Sequence, residues 1–442
     1  MSHITEKYFD DIVKTIRDVV KFDTSQKPAE PACPFGKENA ECLDYFLKLA
    51  EKMGFETHNY DNYVGEVIFG DGEPLAILAH LDVVPAGDGW NFSPFDAVIN
   101  DEISAGGVGG TKIWGRGTMD DKGPAVVTLY CMKALKDSGF VPKRKIKFIV
   151  GCNEETGWAC LEHYVKVASM PSEGFSPDAS FPAIYAEKGI LHFNTFFNIS
   201  AFKELSVGDA ANMVCAKASA TIKDDFSHYA EEICESDYKS EVKYDKKSKK
   251  ITFYGKSAHA STPEKGINAL YDLLKFASCF DCGCKLACEL LFDDKFALKS
   301  IYDETGYLTM SPDMASLSDG KLKITTDIRF PATHKKEEIE SLLSCFGVPF
   351  EIIHFQEPLY NDPNGKLIKT LMSVYNNYTG KDENPIAIGG GTYARALKCG
   401  CGFGPELENE EATIHQPNEY ITFERIKMMS VIYYEAIKEL TK

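Results

Sequence analysis

Two glutamates stand side by side where an apolar run ends. Lys145-Ile-Lys-Phe-Ile-Val150 reads as a buried strand, and GCNEETGWAC (151–160) follows it with Glu154 and Glu155 adjacent. Acids after a strand often do no more than open a helix, complementing its dipole and satisfying free N–H groups, and Gly157–Tyr164 reads as such a helix start. The competing reading is chemical, and it depends on what else the chain carries.

LAILAHLDVVP (75–85) places His80 at the C-terminal end of an apolar strand, with Asp82 two residues on. Residues i and i+2 of an extended segment share a face, so the Asp82 carboxylate is expected to hold the second imidazole nitrogen. A lone histidine so placed is more often structural, but this one has company. GRGTMDDKGP (115–124) is a glycine-rich loop carrying Asp120 and Asp121 just before a helical pattern, without the G-x₄-G-K-[ST] spacing of a phosphate cradle. Asp178 lies in FSPDASFP and His415 in TIHQPNE. Two histidines and several carboxylates suit a pair of divalent ions that activate a water for hydrolysis.

Such side chains converge only if the elements bearing them end at one place. Through about residue 185, helical patterns (41–53, 124–138) alternate with apolar strands (75–81, 145–151), which argues for a mostly parallel α/β sheet. Ligands of such a sheet gather beyond the carboxyl ends of its strands, where all these loops belong. From about Ala186 the texture changes to an α+β module: strand-like runs at 189–198, 213–220, 251–254 and 321–330, with helices at 268–277 and 335–345. After Tyr360, NDPNGKLIKTLMSVYNNYTG predicts another long helix. The economical organisation is one domain (1–186 and 361–442) interrupted by another (187–360), and 442 residues exceed what one core usually holds.

Composition narrows the function classes. The net charge is −18, and only the stretch around KYDKKSKK (243–250) is locally basic, which reads as a solvated hairpin turn; binding to nucleic-acid phosphates is not expected. No apolar run approaches the roughly 20 residues that span a bilayer. The first twenty residues form an amphipathic acidic pattern rather than a secretory signal, and fourteen cysteines then argue for a reducing cytoplasm. Cys279, Cys282, Cys284 and Cys288 invite a metal reading, but only one C-x₂-C pair is present and the segment continues a helical pattern.

The ordered set HLDVVP, GRGTMDDKGP, NEETG, SPD and IHQPNE resembles the co-catalytic metallopeptidases that include peptidase T, carboxypeptidase G and acetylornithine deacetylase, over essentially the whole chain. The GKSAHAS (255–261) and DIRFP (327–331) motifs resemble most the peptidase V branch, the Xaa-His or carnosinase-like dipeptidases. The resemblance implies a zinc-peptidase-like α/β catalytic domain with an inserted α+β lid. It implies two divalent ions, zinc foremost with manganese or cobalt as alternatives, held by His80, Asp120 and Asp178 and by Asp120, Glu155 and His415, with Asp120 bridging. Glu154 would be the general base, which gives the paired glutamates one ligand and one base. His259 would stabilise the oxyanion and Arg329 would grip a terminal carboxylate, with Asn212 and the loop around Gly390 as further contacts. The resemblance also implies a cis Asp120–Asp121 peptide, a monomer, and a small dipeptide as substrate. An N-acyl amino acid deacylase or carboxypeptidase is the alternative within the family, and a non-catalytic metal-binding scaffold the alternative outside it. One departure is AGGVGGTK (105–112), which lengthens the segment between His80 and Asp120.

Overall fold

Leu75-Ala-Ile-Leu-Ala79 is buried at every position, the pattern of a strand covered on both faces. In the computed structural model, which describes residues 3–103, 109–208, 210–233, 235–407, 410 and 413–442, this strand spans Pro74–His80. It runs parallel to Lys145–Gly151 on one side and to Glu173–Ser176 on the other, and Cys399–Phe403 extends the parallel set beyond Glu173–Ser176. Antiparallel partners flank these four: the hairpin Glu56–Tyr60 and Val64–Phe69 beside Lys145–Gly151, and Ala183–Glu187 beside Cys399–Phe403. The principal helices of this part are His3–Val20, Lys37–Lys52, Lys122–Asp137, Ala159–Val167, Lys366–Thr379 and Phe423–Thr441. This is the expected α/β architecture, with four central parallel strands in a mixed sheet whose edges are antiparallel.

The chain divides into two compact units. The first comprises the chain up to Tyr185, Asn361–Ile386 and Gly391–Lys442; the second comprises Ala186–Tyr360 together with Ala387–Gly390. Those last four residues, in sequence terms part of the returning first domain, group with the second unit.

The second unit is built on an antiparallel sheet of eight strands in the order Glu241–Asp245, Lys250–Tyr254, Lys217–Ile222, Phe202–Val207, Thr309–Ser318, Lys321–Phe330, Gly189–Asn198 and Phe350–Gln356. One face packs Phe193, Ile324, Ile328 and Phe330 into a core with Leu270, Leu273 and Leu274 from the helix Ala269–Ala277. That helix starts where Asn268 caps it, its side chain accepting from the N–H groups of Leu270 and Tyr271. The lysine-rich stretch is the expected hairpin turn, between Asp245 and Lys250. Cys284 and Cys288 are buried in the Cys282–Phe292 helical segment while Cys279 and Cys282 are exposed, and none belongs to a converging ligand group among the described residues. Of the AGGVGGTK stretch, residues 105–108 lie outside the described residues. No described helix is long and apolar enough to cross a membrane.

Candidate active site

The parallel strands end side by side. His80 is in register with Gly151, so the imidazole at the end of one strand stands level with the start of the NEETG turn at the end of the next. Asp178 follows the third strand, Glu173–Ser176, after a single proline. The turn that carries the paired glutamates is sharp: Gly157 adopts φ +139°, a conformation costly for any side-chain-bearing residue, and Trp158 follows in the left-handed region at φ +64°. Ala159–Val167 then begins as a helix.

Asp82 shapes this turn. Its Oδ1 accepts from the Glu154 N–H at 3.0 Å and its Oδ2 from the Glu155 N–H at 3.1 Å. The expected role was different, a carboxylate clamp on the imidazole. His80 Nδ1 instead lies 3.0 Å from the Asp82 carbonyl oxygen and 3.5 Å from Oδ1, because both carboxylate oxygens are occupied by the turn. A carbonyl can only accept, so Nδ1 carries the proton and Nε2 is the nitrogen turned to the site.

Asp120 is the residue on which the cluster centres. Its Oδ1 lies 3.0 Å from His80 Nε2 and its Oδ2 lies 2.9 Å from His415 Nε2, so one carboxylate faces two histidines with separate oxygens. Asp178 Oδ2 is 3.6 Å from His80 Nε2 on one side. On the other, both Glu155 carboxylate oxygens are 3.1 Å from His415 Nε2. Ligand atoms of His80, Asp120 and Glu155 fall within 4.8 Å of one another, as do those of His80, Glu154 and Asp178. Glu154 Oε1 accepts from the Trp158 indole N–H at 3.1 Å. The Asp120–Asp121 peptide is cis, as the sequence resemblance implied.

Electrostatically the cluster is overloaded with carboxylates. Burial opposes the charge on His80, but Asp120, Asp178 and Asp82 outweigh it and hold the imidazole well above its ordinary value. The His415 side chain is 48% exposed, and the partial desolvation that opposes its charge is outweighed by Asp120 and Glu155, which push it up to about 11. Asp120 is driven well below the usual carboxylate range despite its burial, by hydrogen bonds from His415 and His80. Burial, reinforced by the Asp120 charge, pushes Glu155 up to about 7. Burial also raises Glu154 well above the usual range and, with Asp120 and Asp178, pushes Glu406 up to about 7. A buried group of acids this dense fits divalent cations, which would displace the protons the histidines and glutamates otherwise retain.

Two residues that position the site carried no assigned role at the sequence level. Glu419, fully buried, accepts from Arg116 Nη1 at 2.7 Å and from the N–H groups of Gly117, Met119 and Asp120 at 3.0, 2.9 and 3.3 Å. It thereby ties the GRGTMDD loop to the IHQPNE segment. Glu419 closes the IHQPNE motif, but nothing local reveals its function, because Arg116 lies 303 residues away. Tyr393, in the GGTYAR segment, is buried with its ring edge-on to His80 and to Trp158, at centroid distances of 6.1 and 5.3 Å.

The remaining predicted residues lie in the second unit. Asn212 and His259 are neighbours through the backbone: Met213 bridges to His259, and the Asn212 carbonyl accepts from Ala260 N–H at 2.9 Å. Arg329 is buried and held bidentate by Asp327, Nε to Oδ1 and Nη2 to Oδ2 at 2.7 Å each, with Nη1 donating to the Gly389 carbonyl at 3.0 Å. His192 Nε2 approaches the same Asp327 at 2.8 Å.

Residues 76–439 match the family model of peptidase family M20/M25/M40. The chain belongs to that family. It is a metallopeptidase, a hydrolase of peptide bonds. Among curated relatives it is 33% identical to the beta-Ala-Xaa dipeptidase of Lactobacillus delbrueckii subsp. lactis over 467 aligned positions, covering 99% of this chain and 98% of the relative. Solved structures share the fold at lower identity. Human carnosine dipeptidase 1 superposes with a TM-score of 0.59 at 13% identity, covering 98% of this chain and 97% of that one. The aminopeptidase PepT of Bacillus cereus does so with 0.57 at 15%, covering 98% and 99%.

Proposed function

We propose that this metallopeptidase is a dipeptidase that cleaves the single peptide bond of short, unblocked substrates. The observation that carries the reading is the division of the Asp120 carboxylate between His80 and His415. Asp178 and Glu155 stand outside that division, one by each histidine, and Glu154, within 4.8 Å of His80 and Asp178, accepts from the Trp158 indole N–H. His80, Asp120 and Asp178 would hold one divalent ion and Asp120, Glu155 and His415 another, zinc being the first choice for such nitrogen and carboxylate donors. When bound, the ions lower the pKa of the attacking water and polarise the scissile carbonyl. Glu154 then has the role of a base: it takes the proton of that water and passes it to the leaving amine.

His259 donates to the developing oxyanion and Arg329 binds the terminal carboxylate. The bonds to Asp327 and Gly389 leave the guanidinium one further N–H on each terminal nitrogen for that purpose. Asn212 and Gly390 supply further polar contacts. We place the enzyme in the cytoplasm and read it as a monomer; mixing an inactive Glu154 variant with an inactive His259 variant should restore no activity. The dipeptidase name of the 33%-identical relative supports the substrate class. The test is hydrolysis of a dipeptide library by metal-stripped protein reloaded with one metal at a time, with N-acetyl amino acids in parallel. Turnover of the acetylated substrates in preference to free dipeptides would replace this reading with a deacylase.

A further inference from the structure

Ala387–Gly390 is a short excursion of the chain into the second unit, and its glycines are not equivalent. Among the described residues, a Cβ on Gly390 would meet Ile388 Cδ1 alone, at 3.9 Å, an ordinary contact. A Cβ on Gly389 would stand 2.7 Å from Ser261 Cβ, closer than packed carbons approach. Gly389 is also the residue whose carbonyl accepts from Arg329 Nη1 at 3.0 Å. The loop is anchored one residue earlier, where the Ile388 carbonyl accepts from Lys188 N–H at 2.9 Å.

Ser261, on the other side of this contact, sets the state of His259. Its backbone N–H donates to His259 Nδ1 at 3.1 Å and its hydroxyl lies 2.7 Å from the same nitrogen. A backbone N–H can only donate, so Nδ1 must present its lone pair, and the proton of the neutral ring resides on Nε2. That is the tautomer able to donate a hydrogen bond from Nε2.

From these contacts we infer that Gly389 is a positioning residue that couples Arg329 to His259. Its carbonyl orients the guanidinium, and its missing side chain lets Ser261 stand where it fixes the imidazole tautomer. One backbone position thus aligns a carboxylate-binding cation and an oxyanion donor within the same unit. The inference rests on the roles proposed above for Arg329 and His259.

The test is a double-mutant cycle on the metal-loaded full chain with a dipeptide substrate. Gly389→Ala should lower kcat/KM by about a hundredfold, the scale of a misplacement near 1 Å, affecting both kcat and KM while leaving bound metal unchanged. Ser261→Gly removes the atom that the new methyl would strike, so the double variant should recover at least about tenfold over Gly389→Ala, although Ser261→Gly alone lowers activity. Full activity of Gly389→Ala, or no recovery in the double variant, overturns the coupling. Arg329→Ala and His259→Gln, assayed alongside, separate this from the underlying reading: wild-type kcat/KM in both would refute the roles themselves and the coupling with them. Should Gly389→Ala fail to fold, ¹⁵N-histidine NMR of the unmodified protein decides. The neutral His259 ring protonated at Nε2 supports the inference, and protonation at Nδ1 overturns it.

Discussion

Arg116 and Glu419 form a fully buried ion pair, Nη1 to Oε2 at 2.7 Å, and the second Glu419 oxygen accepts from three backbone N–H groups of the loop that presents Asp120. Removing one partner leaves a buried guanidinium uncompensated. Glu419→Ala is therefore expected to cost about 3–5 kcal/mol in urea unfolding and to weaken metal binding, although Glu419 is not itself a proposed ligand. Unchanged unfolding and metal affinity would show that the pair does not organise the loop.

The adjacent glutamates should separate cleanly. On the proposed roles Glu154→Gln removes a base and no ligand, so metal content by mass spectrometry should be retained while kcat falls by about 10²–10⁴-fold, the usual worth of general-base catalysis. Glu155→Gln removes a ligand, so metal content itself should drop. The reverse order would exchange the two roles.

Metal binding should release protons at neutral pH. In the metal-free protein His415, opposed by burial but favoured by Asp120 and Glu155, sits at about 11, and Glu155, raised chiefly by burial, sits at about 7. Both must lose protons to act as ligands, so affinity should weaken as pH falls through about 7. The sign for folding of the metal-free protein is opposite for His415: its raised pKa contributes stability that is fully present below the ordinary histidine range and is lost as pH rises toward about 11. Calorimetric titration in two buffers of different ionisation enthalpy measures the protons released. A buffer-independent heat would contradict the expectation.

Arg329 should report on the substrate's C-terminus. Arg329→Ala is expected to lower kcat/KM for dipeptides by about 2–4 kcal/mol, the scale of losing a charge-assisted pair. A dipeptide amide, with no carboxylate to bind, should suffer far less. Equal losses on both substrates would assign Arg329 a purely structural role, through Asp327 and the Gly389 carbonyl.

What the sequence determined on its own was whatever is written locally. The strands Lys145–Gly151, Gly189–Asn198 and Lys321–Phe330 appear with the expected limits, because runs rich in apolar and β-branched residues bounded by glycine, proline or polar turns encode themselves. The strands Phe202–Val207, Thr309–Ser318 and Phe350–Gln356 carry no comparable local signal: MSPD and HFQ interrupt the last two patterns, and the pairing that stabilises them is long-range. For the candidate site, His80, Asp120, Glu154, Glu155, Asp178 and His415 could be proposed from the sequence because metal and proton chemistry would require side chains of those types. Tertiary structure decided how each is aimed. Asp82 was expected to clamp His80 and instead holds the glutamate turn with both oxygens. Glu419 finds Arg116 across 303 residues, and Gly389 closes on Ser261 and Arg329 from far along the chain. A hydrogen bond is specified by where two atoms end up within about 3 Å, and for residues so distant in sequence only the folded sheet and its loops bring them there.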